Sequence, residues 1–239
     1  MRSQLRAVPT TLVSEAEGGV VITGRHASLD GDLEIPFDAR GIVLFAHGSG
    51  SSRKSPRNQF VAQALQRAGL ATLLFDLLTP AEERADARAG GHLRFDVHLL
   101  AERLVDATDW VQRQAVTQRL PIGYFGASTG AAAAILAASM RPGAVQAIVS
   151  RGGRPDLAFS ALSEITLPTL LIVGERDPIV RQLNQDALAQ LRGEKRLEIV
   201  PDATHLFDEP GALDEVAALA GRWFARYLPA GARLPAHPG

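Results

Sequence analysis

A serine hydroxyl attacks a carbonyl at neutral pH only when a neighbouring base takes its proton. Ser128 stands where that chemistry can be arranged, in Gly126-Ala127-Ser128-Thr129-Gly130. The pattern G-x-S-x-G is a weak signal by itself, and its setting adds to it. It follows the apolar run Pro121–Phe125 directly and precedes the alanine-rich run Ala131–Ser139, a strand-to-helix turn of the kind that lifts a nucleophile clear of a sheet. Such a turn strains the serine backbone, and glycines two residues either side let the flanking elements pass closely. The helix that begins there points its partial positive charge at a developing oxyanion. The plainer reading is a glycine-rich turn with an idle serine.

The chain has six histidines from which to supply the base. His26 lies near an early alternating strand and reads as a surface residue. His47 sits in a His-Gly turn, His92 and His98 flank the start of a long helix, and His237 is in the C-terminal segment. His205 stands five residues beyond the last expected strand, where a loop at the carboxyl ends of the strands can reach Ser128. The third member belongs between them in the chain. Asp177 follows the run Thr169–Val173 in Gly174-Glu175-Arg176-Asp177-Pro178, placed to accept the Nδ1 proton of His205 and fix its tautomer. Glu175 is its rival, and a helix N-cap is its plainer role.

An oxyanion formed at Ser128 needs donors. The Thr129 N–H is one, and the Ser49 N–H of His47-Gly48-Ser49-Gly50 is the expected second. A purely structural glycine turn is the competing reading of that loop. Arg53, Lys54, Arg57, Arg151 and Arg154 lie near these strand ends and would favour an anionic acyl group if they faced it. Solvated surface charge is the preferred reading of all five. The histidines lack metal-ligand spacing, so neither a metal nor a cofactor is expected.

The elements that must position these residues alternate. Expected strands are Val20–Thr23, Leu29–Pro36 (with a turn signal at Asp30-Gly31), Gly41–Ala46, Leu70–Phe75, Pro121–Phe125, Ala144–Val149, Thr169–Val173 and Arg196–Val200. Helices are expected over Asn58–Ala68, Phe95–Gln118, Ala131–Ser139, Ile179–Leu191 and Ala212–Tyr227, with a polar loop over Thr79–His92. Strand–helix alternation at this spacing predicts an α/β fold, with one mostly parallel sheet covered on both faces. The insertions, about Leu77–Arg94 and Arg151–Leu167, are too short for a full cap domain. Residues 1–228 are expected to be one domain and 229–239 a flexible tail.

Composition narrows the field. Of 239 residues, 25 are basic and 26 acidic, so neither a nucleic-acid nor a membrane-surface role is expected. The absence of cysteine excludes disulfides, thiolate metal sites and a cysteine nucleophile. Met1–Glu15 has no apolar run of signal-peptide length, and no stretch is long and apolar enough to span a bilayer. A soluble cytoplasmic protein acting on a small molecule is the expectation.

The set HGSG, GASTG, GERDP and PDATHLF, in this order and spacing, resembles the α/β-hydrolase superfamily along nearly the whole chain. Within it, the small size, the stretch LRFDVHLLAERL from Leu93 and the ending HLFDEPGALDEVAALAGRWF are similar to compact dienelactone-hydrolase-like proteins. The resemblance implies an eight-stranded sheet whose second strand is antiparallel, and hydrolysis of small esters or lactones. Dienelactone hydrolases proper use a cysteine nucleophile; this chain has Ser128 instead, so the lactone substrate does not carry over. An acyltransferase or perhydrolase would use the same three residues, and a non-catalytic binding module would need none of them.

Overall fold

The computed structural model describes residues 19–228; the expected tail at 229–239 and the segment Met1–Glu15 lie outside the described residues. The strands are β1 (Gly19–Thr23), β2 (Ser28–Glu34), β3 (Ile42–Ala46), β4 (Ala71–Phe75), β5 (Ile122–Ala127), β6 (Ala147–Arg151), β7 (Thr169–Gly174) and β8 (Lys195–Val200). The helices are α1 (Pro56–Arg67), α2 (Pro80–Arg88), α3 (Val97–Arg113), α4 (Thr129–Met140), α5 (Phe159–Leu162), α6 (Pro178–Gln190) and α7 (Ala212–Tyr227). The strands form one sheet in the order β1-β2-β4-β3-β5-β6-β7-β8. β2 runs antiparallel to β1 and β4, and the other pairs are parallel. This is the α/β sheet, with its antiparallel second strand, that the resemblance implies.

Alternation sorts the side chains of the central strands to two cores. Ile42, Leu44, Tyr124, Ile148 and Leu171 meet α3, α4 and α6 on one face. Val43, Phe45, Phe125, Val149 and Ile172 meet α1 and α7 on the other. Strands buried on both faces read as unbroken apolar runs, which is why IVLFA and TLLIV stand out in the sequence. Tyr124 is buried, with its hydroxyl on Thr108 Oγ1; Thr108 in turn donates to Leu104 O, a polar chain that ties β5 to α3.

The chain passes from β3 outward to β4 and then returns to place β5 on the other side of β3. Such a reversal opens a crevice at the carboxyl ends of the strands. Both the loop after β3 and the turn after β5 open into it. The turn is possible only with glycines. A Cβ on Gly126 would fall 2.5 Å from Ala131 Cα, and one on Gly130 would overlap the Ala46 carbonyl oxygen.

Three expectations are corrected. Thr79–His92 is not a plain loop, because it holds α2, opened by Thr79 and Glu82 in a reciprocal capping box with Pro80 at the first helical position. The helix expected at Phe95–Gln118 is shorter, starting after Asp96, whose carboxylate caps the Leu99 N–H, and ending at Arg113. Asp30-Gly31 is no turn: it lies inside β2, with Gly31 opposite Val20, and the hairpin closes at Gly24 and Ala27 instead. Gly31 is small because Ile22, Val20 and Leu73 crowd its Cα.

Gly130→Ala is expected to cost about 1–3 kcal/mol or more in urea unfolding, since the added methyl meets backbone. Gly221→Ala, in α7, meets nothing nearer than Leu65 Cδ2 at 3.9 Å and is expected to gain about 1 kcal/mol of helix propensity. Equal midpoints for the two variants would refute the close-approach argument.

Candidate active site

Ser128 occupies the turn between β5 and α4 with φ 51° and ψ −121°, a left-handed backbone that a residue with a Cβ adopts only under constraint. Its N–H donates to Arg151 O at the end of β6, 3.2 Å away. Its carbonyl accepts from the N–H groups of Ala131 and Arg154, each at 3.1 Å. Three bonds therefore hold the conformation from both sides.

His205 lies in the loop between β8 and α7, and its Nδ1 is 2.7 Å from Asp177 Oδ2. Asp177 divides its oxygens: Oδ1 accepts the Val180 N–H at 3.4 Å as the N-cap of α6, while Oδ2 faces the imidazole. The rival, Glu175, is engaged elsewhere, accepting the Asp202 N–H at 2.9 Å. His205 crosses the end of the sheet because β7 ends in glycine; a Cβ on Gly174 would overlap the Ala203 carbonyl oxygen. The Arg176 N–H donates to that same carbonyl at 2.9 Å, and Glu209 accepts the Thr204 N–H at 3.1 Å. Hydrogen bonds from Thr204 hold the Glu209 carboxyl below the usual carboxylate range. The ring of His205 reaches Gly152, next to the residue that binds the Ser128 N–H. His205 Nε2 has no protein hydrogen-bond partner among the described residues.

The loop after β3 comes up against the elbow. A Cβ on Gly48 would stand 3.1 Å from Ser128 Cβ, tighter than side-chain contacts usually are, so glycine eases the approach. The Thr129 N–H has no acceptor among the described residues. The Ser49 N–H, expected as the second oxyanion donor, instead donates to Thr129 Oγ1 at 2.9 Å. Sequence reading missed this bond, since a threonine after the serine carries no signal of where its hydroxyl goes. It also missed what His47 does. His47 is buried, its Nε2 accepts the Leu77 N–H at 3.1 Å, and its Nδ1 lies 3.0 Å from Gly48 O. Since Nε2 accepts, Nδ1 carries the proton and donates, so one neutral imidazole fixes both the loop after β3 and the segment leading into α2. Burial pushes the His47 pKa down.

A cavity of about 580 Å³ opens beside this loop, lined among others by Gly48, Ser49, Leu78, Glu83, Arg94 and Leu100. Its walls are thus the loop after β3 with the start of α1, then α2, the segment before α3, and α3. Among the described residues, no three His, Asp or Glu side chains are grouped to hold a metal ion. No helix there is long and apolar enough to cross a membrane.

The five basic residues divide. Arg53 pairs with Asp76 and Asp32, Lys54 with Asp32, Arg57 with Asp208 and Arg154 with Asp156. Arg151 departs from the surface reading. It is 8% exposed, with no hydrogen-bond partner for Nε or Nη1, and its guanidinium carbon sits 6.0 Å from the centre of the Phe207 ring. Burial first, then the charge of Arg57, pulls its pKa down to about 10.

An alpha/beta hydrolase domain model matches residues 39–218. The chain belongs to the α/β-hydrolase family. A dienelactone hydrolase from Anabaena variabilis is 61% identical and superposes on this hydrolase with a TM-score of 0.86, over 87% of this chain and 96% of that one. Est1E from Butyrivibrio proteoclasticus shares the fold at 16% identity, with a TM-score of 0.72 over 88% of this chain and 99% of its own. A Mycobacterium tuberculosis H37Rv protein provisionally named a phosphoribosyl transferase is 57% identical over 198 residues. That match covers 83% of this chain and 44% of the relative, so the hydrolase spans less than half the length of that protein.

Two outcomes follow from the buried groups. His47 has a folded pKa below its unfolded value of about 6.5. The unfolded chain therefore takes up the proton first, and the stability His47 contributes is complete above about pH 6.5 and lost as pH falls through the folded pKa. The urea midpoint is expected to drop between pH 7.5 and 5.5 by more in the wild type than in His47→Gln; equal drops would refute the linkage. Arg151→Met keeps the packing under Phe207 and removes an unpaired buried charge, so it is expected to leave the melting temperature unchanged or raise it. A clear loss of stability would show that the guanidinium is paired in solution.

Proposed function

We propose that this α/β-hydrolase is a serine esterase that cleaves small carboxylic esters through an acyl-enzyme on Ser128. The observation that carries the reading is the 2.7 Å bond between His205 Nδ1 and Asp177 Oδ2, made at the strand ends of the same sheet whose elbow holds Ser128 at φ 51°. A cap alone would not need an imidazole on the second oxygen of Asp177, and a glycine-rich turn alone would favour glycine at the strained position.

In this mechanism, His205 Nε2 takes the Ser128 hydroxyl proton as Oγ bonds to the ester carbonyl carbon, and the carbonyl oxygen becomes an oxyanion. Asp177 holds the Nδ1 proton and stabilises the imidazolium. The tetrahedral adduct then collapses, the bond to the alkoxy oxygen breaks, and His205 gives its proton to the leaving alcohol. Water repeats the sequence on the acyl-enzyme, with His205 again the base, and frees the acid. The chemistry is complete with these side chains and water.

The substrate reading rests on the rim. Ile179 and Leu206 stand exposed beside Asp177 and His205, and Leu157 and Phe159 are exposed on the segment that follows Arg154. Close in sequence to Asp177, His205 and Arg154, these apolar side chains would favour esters with an apolar group if they line the mouth of the site. The ion pairs of Arg53, Lys54, Arg57 and Arg154 leave those cations little call on a substrate anion. An acyltransferase or perhydrolase would share every step up to the acyl-enzyme and differ only in the acceptor that follows. The transferase name of the M. tuberculosis relative belongs to a chain more than twice the length of the match and does not set the chemistry of this part.

Turnover of p-nitrophenyl butyrate is expected to fall by at least about 10³-fold in Ser128→Ala and His205→Ala, with a smaller but still large loss in Asp177→Asn. A fluorophosphonate probe is expected to label Ser128. Undiminished turnover in Ser128→Ala, or a label on another serine, would remove the proposal. Added methanol yielding methyl ester in preference to acid would move the reading to acyl transfer.

A further inference from the structure

We infer that the side-chain hydroxyl of Thr129, and not the Ser49 N–H, is the second donor to the oxyanion, an inference that rests on Ser128 being the nucleophile. A carbonyl attacked by Ser128 would develop its oxyanion between the elbow and the loop after β3, where the Ser49 N–H is already committed, 2.9 Å from Thr129 Oγ1. A hydroxyl oxygen that accepts a bond still has its own proton to give.

That proton has no acceptor among the described residues. Thr129 is only 4% exposed, and its hydroxyl makes no hydrogen bond among the described residues except the one it accepts from Ser49. A threonine inside a helix ordinarily turns its hydroxyl back to the carbonyl four residues earlier. Thr129 is the first residue of α4, and the residue four positions before it, Phe125, belongs to β5. The helix therefore offers it no acceptor. The donor is left unspent beside Ser128, on the side of the elbow that faces Gly48 and Ser49.

The Ser49 bond does more than occupy the N–H. Accepting it polarises the hydroxyl and makes it a stronger donor, since hydrogen bonds in series reinforce one another. It also fixes the side-chain rotamer, because a β-branched residue with its oxygen anchored has little freedom left at χ1. The donor is thereby oriented before substrate arrives, the property that makes an oxyanion contact effective. The backbone N–H of Thr129 and its hydroxyl would then grip the same oxygen from one residue, while Ser49 supports from behind. His47, by donating to Gly48 O, holds that support in place.

The test is p-nitrophenyl butyrate kinetics on Thr129→Val, Thr129→Ser and Thr129→Ala, with affinity for an alkylboronic acid that forms a tetrahedral adduct on the serine. If the hydroxyl is the donor, Thr129→Val lowers kcat by about 10²-fold with KM changed by a few-fold at most. Boronate affinity falls with kcat, and Thr129→Ser restores both. Thr129→Ala, smaller than the native residue, gives the same loss and covers the case in which valine does not fold. Wild-type kcat in Thr129→Val, or a higher one, overturns the inference, since the freed Ser49 N–H would then be serving the oxyanion directly. Equal losses in Thr129→Ser and Thr129→Val also overturn it, because they assign the effect to the methyl group. An inactive wild type with Ser128 unlabelled removes the esterase reading and the inference together, whereas an active wild type with unchanged variants removes the inference alone.

Discussion

A side chain bearing a Cβ and held at φ 51° and ψ −121° is the constraint around which this structure is arranged. A backbone in that region costs of order 1–3 kcal/mol and persists only where its surroundings over-determine it. Here they do. The N–H of Ser128 is tied to β6, its carbonyl is tied to both α4 and the segment after β6, and Gly126 and Gly130 allow α4 to fold back against β5 and β3. Each tie comes from a different element, so the sheet must be assembled before the serine can take its position. The order of the central strands follows the same need. β5 lies between β3 and β6, and these two neighbours bring the loop after β3 and the Arg151 carbonyl to the elbow.

The imidazole is governed by a different constraint, distance. His205 belongs to the loop after β8, at the edge of the sheet, and must cross the ends of β7 and β6 to face the elbow. The crossing is low because Gly174 has no side chain, and it is pinned by main-chain bonds rather than by packing alone. Phe207 takes a positive φ of 58° two residues later and turns back into the core. Arg151 lies beneath that ring. One strand end thus serves both partners: the Arg151 carbonyl holds the serine, and its side chain underlies the loop that carries the histidine. Nε and Nη1 have no hydrogen-bond partner among the described residues, so the side chain is read as packing under Phe207 rather than as half of an ion pair.

What could be read in the sequence was whatever is encoded locally or by period. The strands buried on both faces appear as apolar runs, the elbow as glycines flanking a serine, and the histidine by its place after the last strand. The capping box of Thr79 and Glu82 is equally local, so α2 was within reach of sequence reading; the polar composition of the segment obscured it. Asp30-Gly31 misled for the opposite reason. The dipeptide has the composition of a turn, but cross-strand crowding by Ile22 and Leu73 is the reason for the glycine. The bonds of His47 to Leu77 and of Ser49 to Thr129 span 30 and 80 residues of sequence. Only the assembled crevice brings those partners together, and no local pattern announces them. The burial of Arg151 is legible only once β6 is seen to end beneath Phe207.

The helix behind the elbow completes the electrostatic argument. From Thr129 to Ala138 every residue of α4 is buried, and its first turn carries no acidic side chain. A helix that is apolar all round belongs in a core, and this one lies between the sheet and α3 with the alanines giving close approach. Burial matters for chemistry as well as for packing. The partial positive charge at a helix N-terminus is weakened by solvent, and at α4 little solvent reaches it. An anion forming on the substrate would meet that charge through the Thr129 N–H, in a medium of low polarity, with no carboxylate nearby in the helix to oppose it. A neutral ester gains little from the same field. In the proposed reaction the arrangement would favour the charged tetrahedral state over the ground state, the difference that accelerates a reaction.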